Sequence, residues 1–282
     1  MRNSDYWRNR FDLVEQSAHN YSINYSSALE EKYKKAMHNL DLQINAWYNR
    51  FAINNQLTPA DARRILNGEQ LKELKWSVKE YIKYGKENSV NQQWLKELEN
   101  ASAKFHINRL EALKLHCRQQ IEVLAGGMVD DLDEVLRNVY SDAYYKSMFN
   151  VQRGVGVGFD VGQIDVNKLA TIVRKPWTSD GQNFSDRIWN NRTKLVSTLD
   201  QELSRMAMTG EAPIAAIKNL ERTMNTSRAN ATRLVMTEGA FFTTVAQKDA
   251  FKELDVEEFE VVGTLDSRTL LCVVLTMVNT TR

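Results

Sequence analysis

Proline is scarce in this chain, with three in 282 residues against twelve glycines, so few points force a break in a helix. Cysteine is scarcer still: Cys117 and Cys272 are the only two, far apart, which excludes a disulfide framework and a zinc quartet and suits a reducing compartment. Charge of one sign is also missing. Thirty-seven Lys and Arg against thirty-six Asp and Glu leave a formal net charge of +1, so no overall field draws the chain to nucleic acid or anionic lipid, and any such binding needs a local patch. No long apolar run is present. Leu270 to Val278, interrupted by Thr276, is the longest, well short of the roughly 20 residues a spanning helix needs. The first residues, Met1 to Arg8, are polar and aromatic with no apolar core, so no secretory leader is expected and the chain is expected to be soluble, with no membrane partner.

What is abundant is helical periodicity. Between Ala28 and Phe51, the residues Leu29, Tyr33, Ala36, Leu40, Ile44, Trp47 and Phe51 recur at steps of three and four and trace one stripe of an α-helix. Thr58-Pro59-Ala60-Asp61 carries the marks of a new helix start, which places a boundary near residue 55. A second long helix is predicted over Asn91 to Leu124 through Leu110, Leu113, Cys117, Ile121 and Leu124, stopped by Gly126-Gly127, with a shorter amphipathic segment from about Asp130 to Phe149. The glycines at 154, 156 and 158 are expected to form a hinge between residues 1–153 and 159–269.

In the second half, Lys175-Pro176-Trp177 predicts a turn. Ser185 offers a cap for a helix carrying Ile188, Leu195, Leu199, Leu203 and Met206 that ends at Gly210. Pro213 is expected to open a short helix through Ile214, Ile217 and Leu220, and Ser227 a longer one to about Leu254 through Leu234, Phe241, Val245 and Phe251. Period two appears only at Phe259 to Val261, loosened by Gly263. The fold class expected is mainly α, an elongated multi-helix architecture with a small β element near the C-terminus.

Few constellations suggest chemistry. The glycine run lacks Gly-x-Gly-x-x-Gly spacing and a βαβ setting, so it predicts a flexible turn and no dinucleotide cofactor. His116 and Cys117 point about 100° apart on a helix and cannot readily share a metal ion; Cys117, on the apolar stripe, is expected to be a buried thiol. Arg233 and Glu238, five apart and not quite on one helix face, could each reach a neighbouring segment, with a solvated ion pair the plainer reading, and Asp266-Ser267-Arg268-Thr269 suggests a polar turn. Lys218, Arg222, Arg228 and Arg233 give the helix pair at 213–254 a basic helix-turn-helix outline and a candidate DNA contact, although most such pairs are plain αα-hairpins. No Ser/His/Asp, paired-carboxylate or phosphate-loop arrangement is visible, so no catalytic residue, metal or cofactor is expected.

Several stretches together resemble the Mu F-like head-morphogenesis family, the minor head proteins of tailed bacteriophages. They are Lys175-Pro176-Trp177 through Phe184-Ser185-Asp186-Arg187-Ile188-Trp189, then Arg233 to Glu238 with Thr237, then Thr264-Leu265-Asp266-Ser267-Arg268-Thr269. Trp47 to Phe51, Phe105 to Lys114 and Tyr140-Ser141-Asp142 are similar to minor head proteins of phages of Gram-positive bacteria. The resemblance implies a structural, non-enzymatic virion protein at the head interior or portal vertex. Its partners would be the portal protein, other capsid components and, without sequence preference, DNA. Trp177, Phe184, Arg187, Trp189, Arg233, Thr237, Glu238, Asp266, Arg268 and Thr269 would be structural or interaction residues.

After its Asp-x-x-Thr turn the family continues with a cysteine and then Asp-Gly, whereas this chain runs Leu270 to Arg282 without them. Shifting the codons by one frame permits Cys across Cys272-Val273 and Asp-Gly across Thr276 to Val278. The expectation is a frameshift near residue 270 that truncates the 159–269 domain and leaves 270–282 out of frame. Two alternatives accompany this one: a DNA-binding protein using the helix pair 213–254, and a metal-dependent hydrolase whose cysteines lie in the missing part.

Overall fold

The stripe beginning at Leu29 does fold as one helix face: Leu29, Tyr33, Ala36, Leu40 and Ile44 are all buried, and Trp47 packs against them half-buried. The computed structural model describes residues 4–53, 109–158, 160–209 and 212–256, together with residues 83, 86 and 259. Five helices lie in these stretches: α1 (Ser4–Ile53), α2 (Arg109–Val155), α3 (Val166–Arg174), α4 (Phe184–Thr209) and α5 (Ile214–Glu253). At 50 residues α1 is about 75 Å long. No strand occurs among the described residues, and the β element expected at Phe259 to Val261 lies outside them apart from Phe259. The helix start at Thr58, the stretch from Asn91 to Asn108 and the tail 270–282 also lie outside them. None of the described helices is long and apolar enough to cross a membrane.

Side-chain pairs fix the topology. Arg10 with Asn150, Ser17 with Asp142 and Asn39 with Gln120 run α1 antiparallel to α2, and Phe11 against Phe251 with Tyr33 against Ser227 run α1 antiparallel to α5. α2 and α5 are therefore parallel neighbours. Glu202 of α4 takes a hydrogen bond from Asn219 near the start of α5, while Arg187 at the start of α4 lies beside Glu238 far along it, so α4 runs with α1. The result is an up-down-up-down bundle in which α2 and α5 form the middle, α1 covers one side and α4 the other. α3 lies on α2, held by Arg174, whose Nε donates to Asp133 at 2.8 Å.

One hydrophobic core runs through all five helices, from Val14 through Leu136, Leu169 and Leu199 to Phe242. The described residues on the two sides of the glycine run thus share a single interior. Gly154 is still helical, and a Cβ there would fall inside the Trp7 indole; Gly156, at φ +82°, receives the chain as α2 ends, its N–H bonding Gln152 O at 2.8 Å. The hinge expected here is a helix terminus under an aromatic lid.

Three local expectations are corrected. α2 continues straight through Gly126-Gly127, because its flanks are buried on nearly every side and packing outweighs the roughly 1 kcal/mol that each glycine costs in a helix. α5 is one helix of 40 residues, so the helix pair at 213–254 does not exist: Pro213 starts it as expected, but Ser227 sits mid-helix, buried, its Oγ 2.9 Å from the Tyr33 hydroxyl. The cap of α4 is Asn183, not Ser185. Asp186 N donates to Asn183 Oδ1 and Asn183 N to Asp186 Oδ2, each at 3.0 Å, a reciprocal capping box.

Gly127 offers a direct check, since a Cβ there would meet nothing within 4 Å. Gly127→Ala is expected to stabilise the chain by about 0.5–1 kcal/mol, read as a higher denaturation midpoint with an unchanged slope. A loss would mean that the helix does not run through this point.

Candidate functional site

The residues singled out around Lys175-Pro176-Trp177 converge where the α3–α4 connection meets α5. Pro176 cannot continue α3, which ends at Arg174, and the chain turns so that Trp177 lies flat on Phe241, ring centroids 4.0 Å apart and planes 9° apart. The indole Nε1 donates to Glu238 Oε2 at 2.9 Å. Only 2% of Glu238 is exposed. Burial pushes its carboxyl above the usual glutamate range, against the lowering pull of the Trp177 hydrogen bond and the Arg187 charge.

Arg187, in the first turn of α4, ties the same connection from the other side. Its Nη2 donates to Thr178 Oγ1 at 2.9 Å and to both Asp180 oxygens at 2.9 and 3.0 Å. Asp180 is held below the usual aspartate range first by the Thr178 hydroxyl, then by the Gln182 backbone N–H, with Arg187 adding to both. Phe184, fully buried, anchors the start of α4 in the core, and Trp189 lies half-buried with the Arg192 guanidinium 5.4 Å from its ring centre.

A second buried polar contact lies one turn further along α4. Arg192 Nε donates to Glu122 Oε2 at 2.8 Å, and Arg118 Nε stands 3.5 Å from the other oxygen. Glu122 is fully enclosed. Neither it nor Arg192, Thr178, Asp180 or Phe241 was distinguishable in the sequence, where a buried charge on a helix looks the same as a solvated one.

The remaining candidates separate. Arg233 and Thr237 are exposed, and Arg233 donates to Asn230; Glu238 is not in a solvated ion pair but reaches a neighbouring segment, turning inward to Trp177. Asp266, Arg268 and Thr269 lie outside the described residues. Of the basic group, Lys218 and Arg222 are exposed, whereas Arg228 is half-buried and pairs with Glu30 at 2.9 Å. Cys117 is a fully buried thiol, pushed up by burial and by Asp200. Among the described residues no three His, Cys, Asp or Glu side chains are grouped to hold a metal ion. No known protein family, curated protein or solved structure matches the chain.

As chemistry, the Trp177–Glu238–Arg187 arrangement is a brace. It fixes one connection against two helices through a stack, a charge-assisted hydrogen bond and an ion pair. Its pH dependence follows from Glu238. A carboxyl raised in the folded chain contributes stability that is complete below the unfolded value and is lost as pH rises through the folded one. Glu238→Gln keeps an acceptor for Trp177 and cannot ionise. It is expected to match the native chain near pH 4 and exceed it by on the order of 1 kcal/mol at pH 7 in denaturant titrations. An advantage that shrinks as pH rises would reverse the assignment.

Proposed function

We propose that this chain is a minor head protein of a tailed bacteriophage, a structural component acting in head morphogenesis. It is bound to the portal and assists DNA packaging or delivery from the head interior or portal vertex, after assembly in the host cytoplasm. The observation that carries the reading is the meeting of two of the resembling stretches. Trp177 and Arg187 from Lys175–Trp189 close on Glu238 from Arg233–Glu238, 61 residues from Trp177, and they do so as a brace between helices. Residues that build a scaffold are what a docking component needs. Long helices with exposed outer faces supply surfaces for partner helices, and the role calls for no substrate.

The test is co-expression with the portal protein encoded by the same phage or prophage, beside a version of the chain restored to the other frame after residue 270. Co-purification of portal with either form is expected, and failure of both overturns the proposal. Stoichiometric zinc in the purified chain would favour the hydrolase alternative instead.

A further inference from the structure

A cavity of about 10 Å³ lies where α1, α2, α4 and α5 meet, walled by apolar side chains of α2 and α4 such as Leu124 and Ile188. Four polar side chains line it as well: Tyr33, Asn191, Arg192 and Ser227. Tyr33 and Ser227 are both buried, and their hydroxyl oxygens stand 2.9 Å apart. Their hydrogen bond uses one of two protons. Whichever hydroxyl donates, the other keeps an O–H that no described residue accepts. Nearby threonines of α5 avoid this by turning back along the helix: Thr223 and Thr226 each donate to the carbonyl four residues earlier at 3.0 Å. Ser227 turns to Tyr33 instead. Across the cavity, Arg192 commits only Nε to Glu122, and the half-buried Asn191 side chain makes no hydrogen bond to a described residue.

We propose that this cavity binds one water molecule, which accepts the spare hydroxyl proton of the Tyr33–Ser227 pair and joins it to Asn191 and Arg192. A volume of about 10 Å³ is near the smallest that holds a water, and such a site also needs about two to four polar partners. The lining groups supply them with both senses: the spare O–H, the Asn191 N–H and the Arg192 Nη hydrogens donate, whereas Asn191 Oδ1 accepts. A cation is repelled by the guanidinium, and the Arg192 charge is already met by Glu122 at 2.8 Å, so the site suits a neutral ligand and not an ion. The water completes a polar chain through the core, from Tyr33 of α1 and Ser227 of α5 to Arg192 of α4 and on to Glu122 of α2. The four longer helices are thereby held in one register, since sliding any of them would leave buried donors without acceptors. The inference does not rest on the head-protein reading: a chain that binds no portal still has this interior.

A crystal structure of the full chain that resolves ordered solvent tests it without any substitution. One water is expected within about 3.2 Å of Ser227 Oγ or Tyr33 Oη and of Asn191 or Arg192. In solution, Ser227→Ala and Asn191→Ala are each expected to lower the urea denaturation midpoint. Because both remove a partner of the same water, the double variant is expected to lose less than the sum of the two single shifts. Ile188→Val is the control, since Ile188 lines the same cavity but offers water no polar atom; its shift is expected to add to that of Ser227→Ala. No water at this place in the native crystal overturns the proposal, as do additive shifts for Ser227→Ala and Asn191→Ala. Equal non-additivity with Ile188→Val also overturns it, because the link would then be the shared space and not a bridging molecule.

Discussion

Replacing Trp177 with alanine is expected to destabilise the chain by about 3 kcal/mol, because the change removes a large aromatic contact and a buried hydrogen-bond donor together. The ring is stacked on Phe241, and its N–H is the direct donor to a carboxylate of which 2% is exposed. Trp177→Phe separates the two contributions. The stack survives, the donor does not, and a cost of about 1–2 kcal/mol is expected from Glu238 left with only the more distant Arg187 charge. In a Glu238→Gln background the same Trp177→Phe change is expected to cost less, since a neutral amide tolerates a lost donor better than a buried charge does. Denaturant titrations with unchanged slopes measure all of these. If alanine and phenylalanine cost the same, the hydrogen bond contributes nothing. A total below 1 kcal/mol for alanine would mean that the connection is not held to α5 by this side chain.

The parts of the fold that were legible share one property: apolar residues repeat at helical spacing, or a proline marks the first turn. α1 from Leu29 to Ile44, α4 from Ile188 to Met206 and the start of α5 at Pro213 are of this kind. Gly126-Gly127 and Ser227 were misleading because local preference there opposes what packing dictates. Gly126 is buried within a helix that packs against all four others, and Ser227, which at an exposed position would favour a helix start, instead exchanges a hydrogen bond with Tyr33 inside the core. At the candidate site, Trp177, Arg187 and Glu238 were recognisable one by one. Their partnership was not, because Glu238 is five residues from Arg233, about 140° round the helix, and its actual donor comes from a different element. Phe241 and Asp180 carried no sign of a shared site: one reads as a further apolar residue of a helical stripe, the other as an aspartate in a polar turn.

Arg192→Ala is expected to cost about 3 kcal/mol or slightly more, although the residue belongs to none of the resembling stretches. Glu122 has no exposed surface, and Arg192 supplies its closest donor at 2.8 Å. Taking that donor away leaves the carboxyl group facing Arg118 at 3.5 Å, and breaking such a buried pair typically costs about 3–5 kcal/mol. Arg118 lowers the expectation towards the bottom of that range. The sign of the double change distinguishes a buried pair that stabilises from one that is merely tolerated. Arg192→Met with Glu122→Leu keeps the volume and removes both charges, so its cost should fall below that of Arg192→Ala alone and approach zero, since well-packed apolar replacements of buried pairs are often neutral or better. Arg118, with 29% of its side chain exposed, can then turn its guanidinium to water. A double variant as unstable as the single one would show that the charges themselves hold α4 against α2. A stable double would place the strength of that seam in Ile188, Leu195 and Leu199, which line the same interface from within the core.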